Sequence, residues 1–226
     1  MTRVRLFYEK RGGACFVPHV AMVGLFTRVA ARGGIKLSLT EGFSPHAKMS
    51  FGPELPAGVL ALCEPVDLWL EEDCGYENLK YGDWEKIWNE QMPRGFRVVG
   101  FRILPPEAPA LGKDCRAAHY LIQPGDHRLG GELLTRLKEH YGEDALSVRF
   151  DELDNDELDD GRGSDAFPWI SLVLGNPAGN GIGGWVKSLT AANVIAGWQD
   201  LRIVRIALGR WSGTRLESLN SAALSS

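Results

Sequence analysis

Twice along this chain of 226 residues the same order of apolar periodicities recurs, and that repeat limits the fold more than any single motif does. In the first half Val4–Glu9 alternates as a strand and Pro18–Arg32 carries a helical period, with Pro18 suited to its first turn and Gly33-Gly34 ending it. Lys36–Thr40, a short run at Met49–Phe51 and Pro65–Glu71 read as strands. Asn78–Gln91, with Trp84, Ile87 and Trp88 on one face, reads as a helix, and Phe96–Leu104 closes the set as a strand. The second half follows suit. His119–Gln123, Leu146–Phe150, Trp169–Leu174 and Leu201–Leu208 read as strands, Gly130–His140 as a helix, and Gly184–Gly197 contains another.

Two β-α-β-β-α-β orders in series predict an α+β protein of two tandem ferredoxin-like units, each an antiparallel sheet with two helices on one face. The Pro- and Ala-rich stretch PPEAPALG, 105–112, is the expected boundary between an N-terminal domain, 1–105, and a C-terminal domain, 113–215. Residues 216–226, LESLNSAALSS, are expected to be a disordered tail.

Between the early strands lies the stretch richest in chemistry. Gly42, Phe43, Ser44, Pro45, His46 and Lys48 fall on one glycine- and proline-punctuated turn. An aromatic face, a titratable imidazole and a fixed cation on one turn suit a phosphate or a stacked base. His19, read at the start of the first helix, has backbone N–H groups beside it that favour anions. It is either a phosphate or general-base group or a structural histidine ordering the GGACF loop. Arg28 and Arg32, one helical turn apart, extend a basic surface. His19 and His46 are the candidate catalytic pair for metal-independent RNA cleavage, if they converge. Glu64 and Asp67 are expected to cap the turn or to pair with Lys48, Arg3 or Arg5.

The same residues carry a family resemblance. The run RVRLFYEKRGGACFVPHVAMVGLFTRVAARGGIKLSLTEGFSPHAK, followed by LPAGV and Glu64, resembles the bacterial radical SAM-linked family, proteins encoded beside or fused to a radical SAM protein. The matching positions are Lys10, Gly12, Phe16, His19, Arg28, Gly42, Phe43, Pro45, Lys48, Leu55, Pro56, Gly58 and Glu64. Where the family has Ser before the histidine and Leu-Asp after it, this chain has Pro18 and Val20-Ala21. The resemblance covers roughly the first 70 residues and implies a radical SAM enzyme as partner. That partner would carry an iron–sulfur cluster and S-adenosylmethionine.

The chain itself is expected to hold no cofactor or metal. Cys15, Cys63, Cys74 and Cys115 are scattered with no CxxC pair, and no cysteine triad is present for a cluster. The alternating N-terminus has no apolar signal-peptide core and no run reaches a membrane span, so a cytoplasmic protein with reduced thiols is expected.

A net charge of −4 does not suit a nucleic-acid binder, but the charge is uneven. Residues 1–60 hold eight Lys and Arg against three Glu, and Arg202, Arg205, Arg210 and Arg215 crowd the C-terminal run. An acidic insert, 151–165, sets eight carboxylates against one arginine. It is not a calcium loop, because the third position from Asp156 is Leu158 and the twelfth is Phe167. The glycine-rich run Gly175–Trp185 lacks the GK[ST] ending of a phosphate loop. The function expected from all this is an accessory module that binds and presents RNA to a radical SAM partner through His19, Arg28, Arg32, Gly42, Phe43, Pro45, His46, Lys48 and Glu64. An endoribonuclease and a protein-interaction subunit without nucleic-acid affinity are the alternatives.

Overall fold

The computed structural model describes residues 1–71, 81–151 and 168–220. Strand β1, Thr2–Lys10, sends Val4, Leu6 and Tyr8 into a core and turns Arg3 and Arg5 to the opposite face, as a two-residue period requires. Helix α1, Met22–Arg32, closes that core with Met22, Leu25, Phe26, Val29 and Ala30, spaced along one helical face. It ends in a Schellman motif. Ile35 N–H donates to Ala30 O at 2.8 Å and Gly34 N–H to Ala31 O at 3.3 Å. Gly34 sits at φ +71°, where a side chain would be strained.

The helix starts later than its apolar period predicts. Pro18 is extended and His19–Ala21 form a 3₁₀ turn, so the α-helix proper begins at Met22. Lys36–Thr40 likewise makes isolated bridges, Leu37 to Leu70 and Leu39 to Ala47, where a strand was expected.

The rest of the first half comprises β2, Met49–Phe51; β3, Leu60–Leu70; α2, Tyr81–Gln91; and β4, Phe96–Leu104. Trp84 and Trp88 of α2 are buried in the same core as α1. A short helix α3, Leu111–Asp114, follows the proline-rich link. Then come β5, Ala117–Pro124; α4, Gly130–Tyr141; β6, Ala145–Asp151; β7, Trp169–Gly175; α5, Ile182–Ala191; and β8, Leu201–Trp211. Ala118, Tyr120 and Ile122 of β5 meet Leu133 and Leu137 of α4 and Trp185 and Leu189 of α5 in a second core.

The expected pair of sheets is one sheet. Among the described residues nine strands run in the order β4-β1-β3-β8-β5-β7-β6, with β2 added on β3 and a ninth strand, β9, Leu216–Ser218, on β8. The pairings are antiparallel except β3 with β8, which is parallel through Leu60–Val204 and Ala61–Arg205. The eleven-residue β3 makes this continuity feasible, giving its first residues to β8 and Val66–Leu68 to β2. A third cluster, Cys15, Leu60, Leu121, Trp169 and Val204, packs at the join. The chain is thus a mixed α+β protein with a mostly antiparallel sheet.

Part of the expected tail is therefore strand β9, and Asn220 beyond it is buried, its Nδ2 3.4 Å from Cys63 Sγ. Cys74, the start of the predicted second helix, almost all of the acidic insert and residues 221–226 lie outside the described residues.

Candidate functional site

The turn singled out in the sequence is the tip of a hairpin zipped to the end of β3. Ser38 N–H donates to Trp69 O at 2.7 Å and Trp69 N–H to Lys48 O at 3.2 Å, while Lys48 N–H donates to Ser38 O at 2.7 Å. Higher up, Thr40 N–H donates to His46 O at 2.8 Å. Above that rung the loop Glu41–His46 is exposed throughout. Gly42 turns the apex at φ +121°, a backbone conformation that favours glycine. Phe43, next to it, is fully exposed.

His46 is held within the loop. Its Nδ1 lies 3.1 Å from Thr40 Oγ1 and 3.3 Å from Ser44 O, and its backbone N–H donates to Thr40 Oγ1 at 3.2 Å. At the hairpin base Lys48 Nζ sits 5.2 Å from the centroid of the Trp69 ring, and the Arg3 guanidinium 5.3 Å from the same ring. Two cations on one indole face a cation–π geometry worth about 0.5–1 kcal/mol each where exposed.

The other candidates are placed elsewhere. The His19 ring packs edge-on against Phe51 at 5.6 Å, and Phe51 packs in turn against Phe26. His19 is thereby part of the apolar seam between β2 and α1, whereas the ring contacts of His46 are with Thr40 and Ser44. Arg32 donates to Gln91 O at 2.8 Å, satisfying a carbonyl at the C-terminal end of α2. Arg28 is exposed and lies back along α1, where a β-carbon at Gly24 would come 3.4 Å from its Nη1.

Glu64 is a buried structural carboxylate. Arg205 donates to it through Nε to Oε1 at 2.7 Å and through Nη2 to Oε2 at 2.5 Å. The same guanidinium donates to Pro53 O at 2.8 Å, to Glu54 O at 3.3 Å and to the Tyr120 hydroxyl at 3.3 Å. The Pro- and Gly-rich connection before β3 is thus pinned by an arginine 141 residues from Glu64. Nearby, Lys10 is buried with Nζ donating to Val17 O at 2.6 Å, and burial lowers its pKa. Burial, and then the Glu64 charge, raise the Tyr8 pKa.

A second buried network joins the first half to the link and the last strand. Asp67 accepts from Arg5 Nε at 2.7 Å and pairs with Arg3, whose guanidinium also donates to Ala108 O and Pro109 O. Arg5 Nη1 reaches Asp114 of α3 at 2.9 Å, and Asp114 accepts from Arg210 at 2.5 Å. Asp67 therefore pairs as the sequence suggested, while Arg205, Asp114 and Arg210 were missed as partners. One signal was there to read: Arg205 follows Leu201 and Ile203 at period two, on the apolar side of its strand.

Among the described residues, no three His, Cys, Asp or Glu side chains cluster as a metal site, and no helix is long and apolar enough to cross a membrane.

His119 supplies a pH-dependent element away from the hairpin. Its Nε2 lies 2.9 Å from Ser171 Oγ on the adjacent strand, and burial followed by the Arg149 charge pushes its pKa down to about 4. The unfolded chain takes up that proton near pH 6.5 while the native state stays neutral. Stability from this group is complete above about pH 6.5 and is lost as the pH falls toward 4, by roughly 3 kcal/mol in all. Urea midpoints of the wild type and His119→Gln, compared at pH 7 and pH 4.5, check this: the acid-induced loss shrinks in the variant.

The chain matches the model of a bacterial family described as "Uncharacterized protein conserved in bacteria (DUF2344)", over residues 3–157. No curated protein matches it.

Proposed function

We propose, from the premise that this chain belongs to that DUF2344 family of bacterial proteins, that it is an accessory binding module which presents an RNA to a radical SAM enzyme through the hairpin 37–48. The observation that carries the reading is Phe43, bare at the apex of a loop with His46 beside it and Lys48 at its base. An unpaired base stacks on the Phe43 ring, and the imidazole and ammonium meet the adjoining phosphates. The partner supplies the iron–sulfur cluster and S-adenosylmethionine. A cytoplasmic setting suits the buried free thiols Cys15, Cys63 and Cys115.

The ferredoxin-like reading of each half, with a division near 105–112, is supported by strand order. It runs β4-β1-β3-β2 in the first half and β8-β5-β7-β6 in the second, which is fourth-first-third-second in both.

The ion pairs of Arg3, Arg5, Arg205 and Arg210 limit how basic the RNA surface can be. With Lys48 and Arg28 as the remaining fixed cations that contact phosphate, log K falls against log salt with a slope of only about −1.4. Fluorescence anisotropy with labelled tRNA and rRNA fragments over a salt series tests this. Phe43→Ala is expected to weaken binding about tenfold, and Lys48→Ala to flatten the slope by about 0.7. No binding at low salt sinks the RNA reading and leaves a protein-docking subunit. Cleaved RNA in the same tubes would favour an endoribonuclease.

A further inference from the structure

We propose that the cavity where the two halves of the sheet meet binds a flat heteroaromatic ring of nucleobase size. The cavity has a volume of about 490 Å³, inside the range of roughly 300–1,000 Å³ common for small-molecule sites. Both halves build it: Gly12, Gly13, Phe16 and Gly58 from the first, Trp198 and Arg202 from the second. It shares no residue with the hairpin and does not depend on the RNA reading there.

Three properties of the walls select the ligand. Two aromatic rings from different elements line the cavity, and Phe16 keeps 65 % of its surface exposed, an apolar face available for stacking. The glycines leave one wall as bare backbone. A β-carbon at Gly12 or Gly13 would meet nothing within 4 Å, so a ring edge can approach peptide N–H and C=O groups directly. Among the described residues that line the cavity, the polar side chains include the Gln199 amide and Arg202, whose guanidinium is held 5.1 Å over the Trp169 ring. The Gln199 amide both donates and accepts, which suits the mixed polar edge of a neutral heteroaromatic ring. The ring belongs either to a free nucleoside or to an unpaired base of a strand, and the stacking chemistry is the same.

Titration of the full chain with adenosine, uridine and a short single-stranded oligonucleotide, followed by calorimetry and tryptophan emission, tests the site. Gly13 has an ordinary φ and open space at its β-carbon, so Gly13→Leu fills the cavity and is expected to keep the wild-type melting temperature. Expected is saturable binding of a nucleoside or of the oligonucleotide, weakened about tenfold or more by Gly13→Leu and by Trp198→Ala. A nucleoside that binds alone identifies a free ligand, and binding of the oligonucleotide only identifies a base within RNA. The proposal is overturned if none of the three binds, or if binding is unchanged in a folded Gly13→Leu. Binding lost in Phe43→Ala but not in Gly13→Leu also overturns it, while leaving the hairpin reading intact.

Discussion

Glu64→Ala is expected to lower the free energy of unfolding by about 3–5 kcal/mol, because it strands a buried guanidinium without its anion. Arg205 is fully buried, and Glu64 supplies both oxygens of a two-point pair. Removing one partner leaves the whole desolvation cost of the other uncompensated. Replacing both with apolar side chains does not, so Glu64→Leu/Arg205→Met should recover at least half of the loss. The recovery is incomplete because Pro53 O, Glu54 O and the Tyr120 hydroxyl lose their common donor. Urea denaturation followed by tryptophan emission measures both variants against the wild type. A loss below about 1 kcal/mol in Glu64→Ala, or a double variant no more stable than the single, would contradict this account.

Glu64 also shows where reading the sequence succeeds and where it stops. Local rules carried a good deal. The alternation of Phe96–Leu104 is β4 from end to end, and Gly33-Gly34 ends α1 through the backbone bonds that motif implies. The apex of the hairpin was legible because Gly42, Pro45 and Lys48 act within a few residues of one another. Pairing across the chain was not. Glu64 could be marked as a turn carboxylate, but the arginine it meets lies in β8, beside β3 only because the two halves share a parallel seam. No local period encodes that seam.

The basic residues failed for a related reason. Alternation in β1 assigns Arg3 and Arg5 to the polar face, and a polar face ordinarily means solvent. Here the link residues Ala108 and Pro109 and helix α3 reach that face, so both guanidiniums are spent on internal partners. The helix expected from Pro18 is shortened because Pro18 is extended and the next three residues turn more tightly than an α-helix. His19 opens that 3₁₀ turn, and its ring packs in an aromatic seam against Phe51.

The second large effect follows from that covered face. Asp67→Ala is expected to cost about 3–5 kcal/mol, since it strips the anion from two arginines, one of them buried. Asp67→Asn keeps hydrogen-bond acceptance at one oxygen and should lose less than the alanine variant. Arg210→Ala, removing a cation that is 55 % exposed, should cost under about 1 kcal/mol. The consequence reaches past global stability. Asp67 orients Arg3, which holds the carbonyls of Ala108 and Pro109, and Arg5, which holds Asp114. With both arginines released, the link between β4 and α3 loses its attachment to β1. Limited proteolysis should then cut Asp67→Ala within 105–112 faster than Glu64→Ala at equal overall stability. Equal rates would mean that the link is held by something other than this network, and that Asp67 stabilises the first half alone.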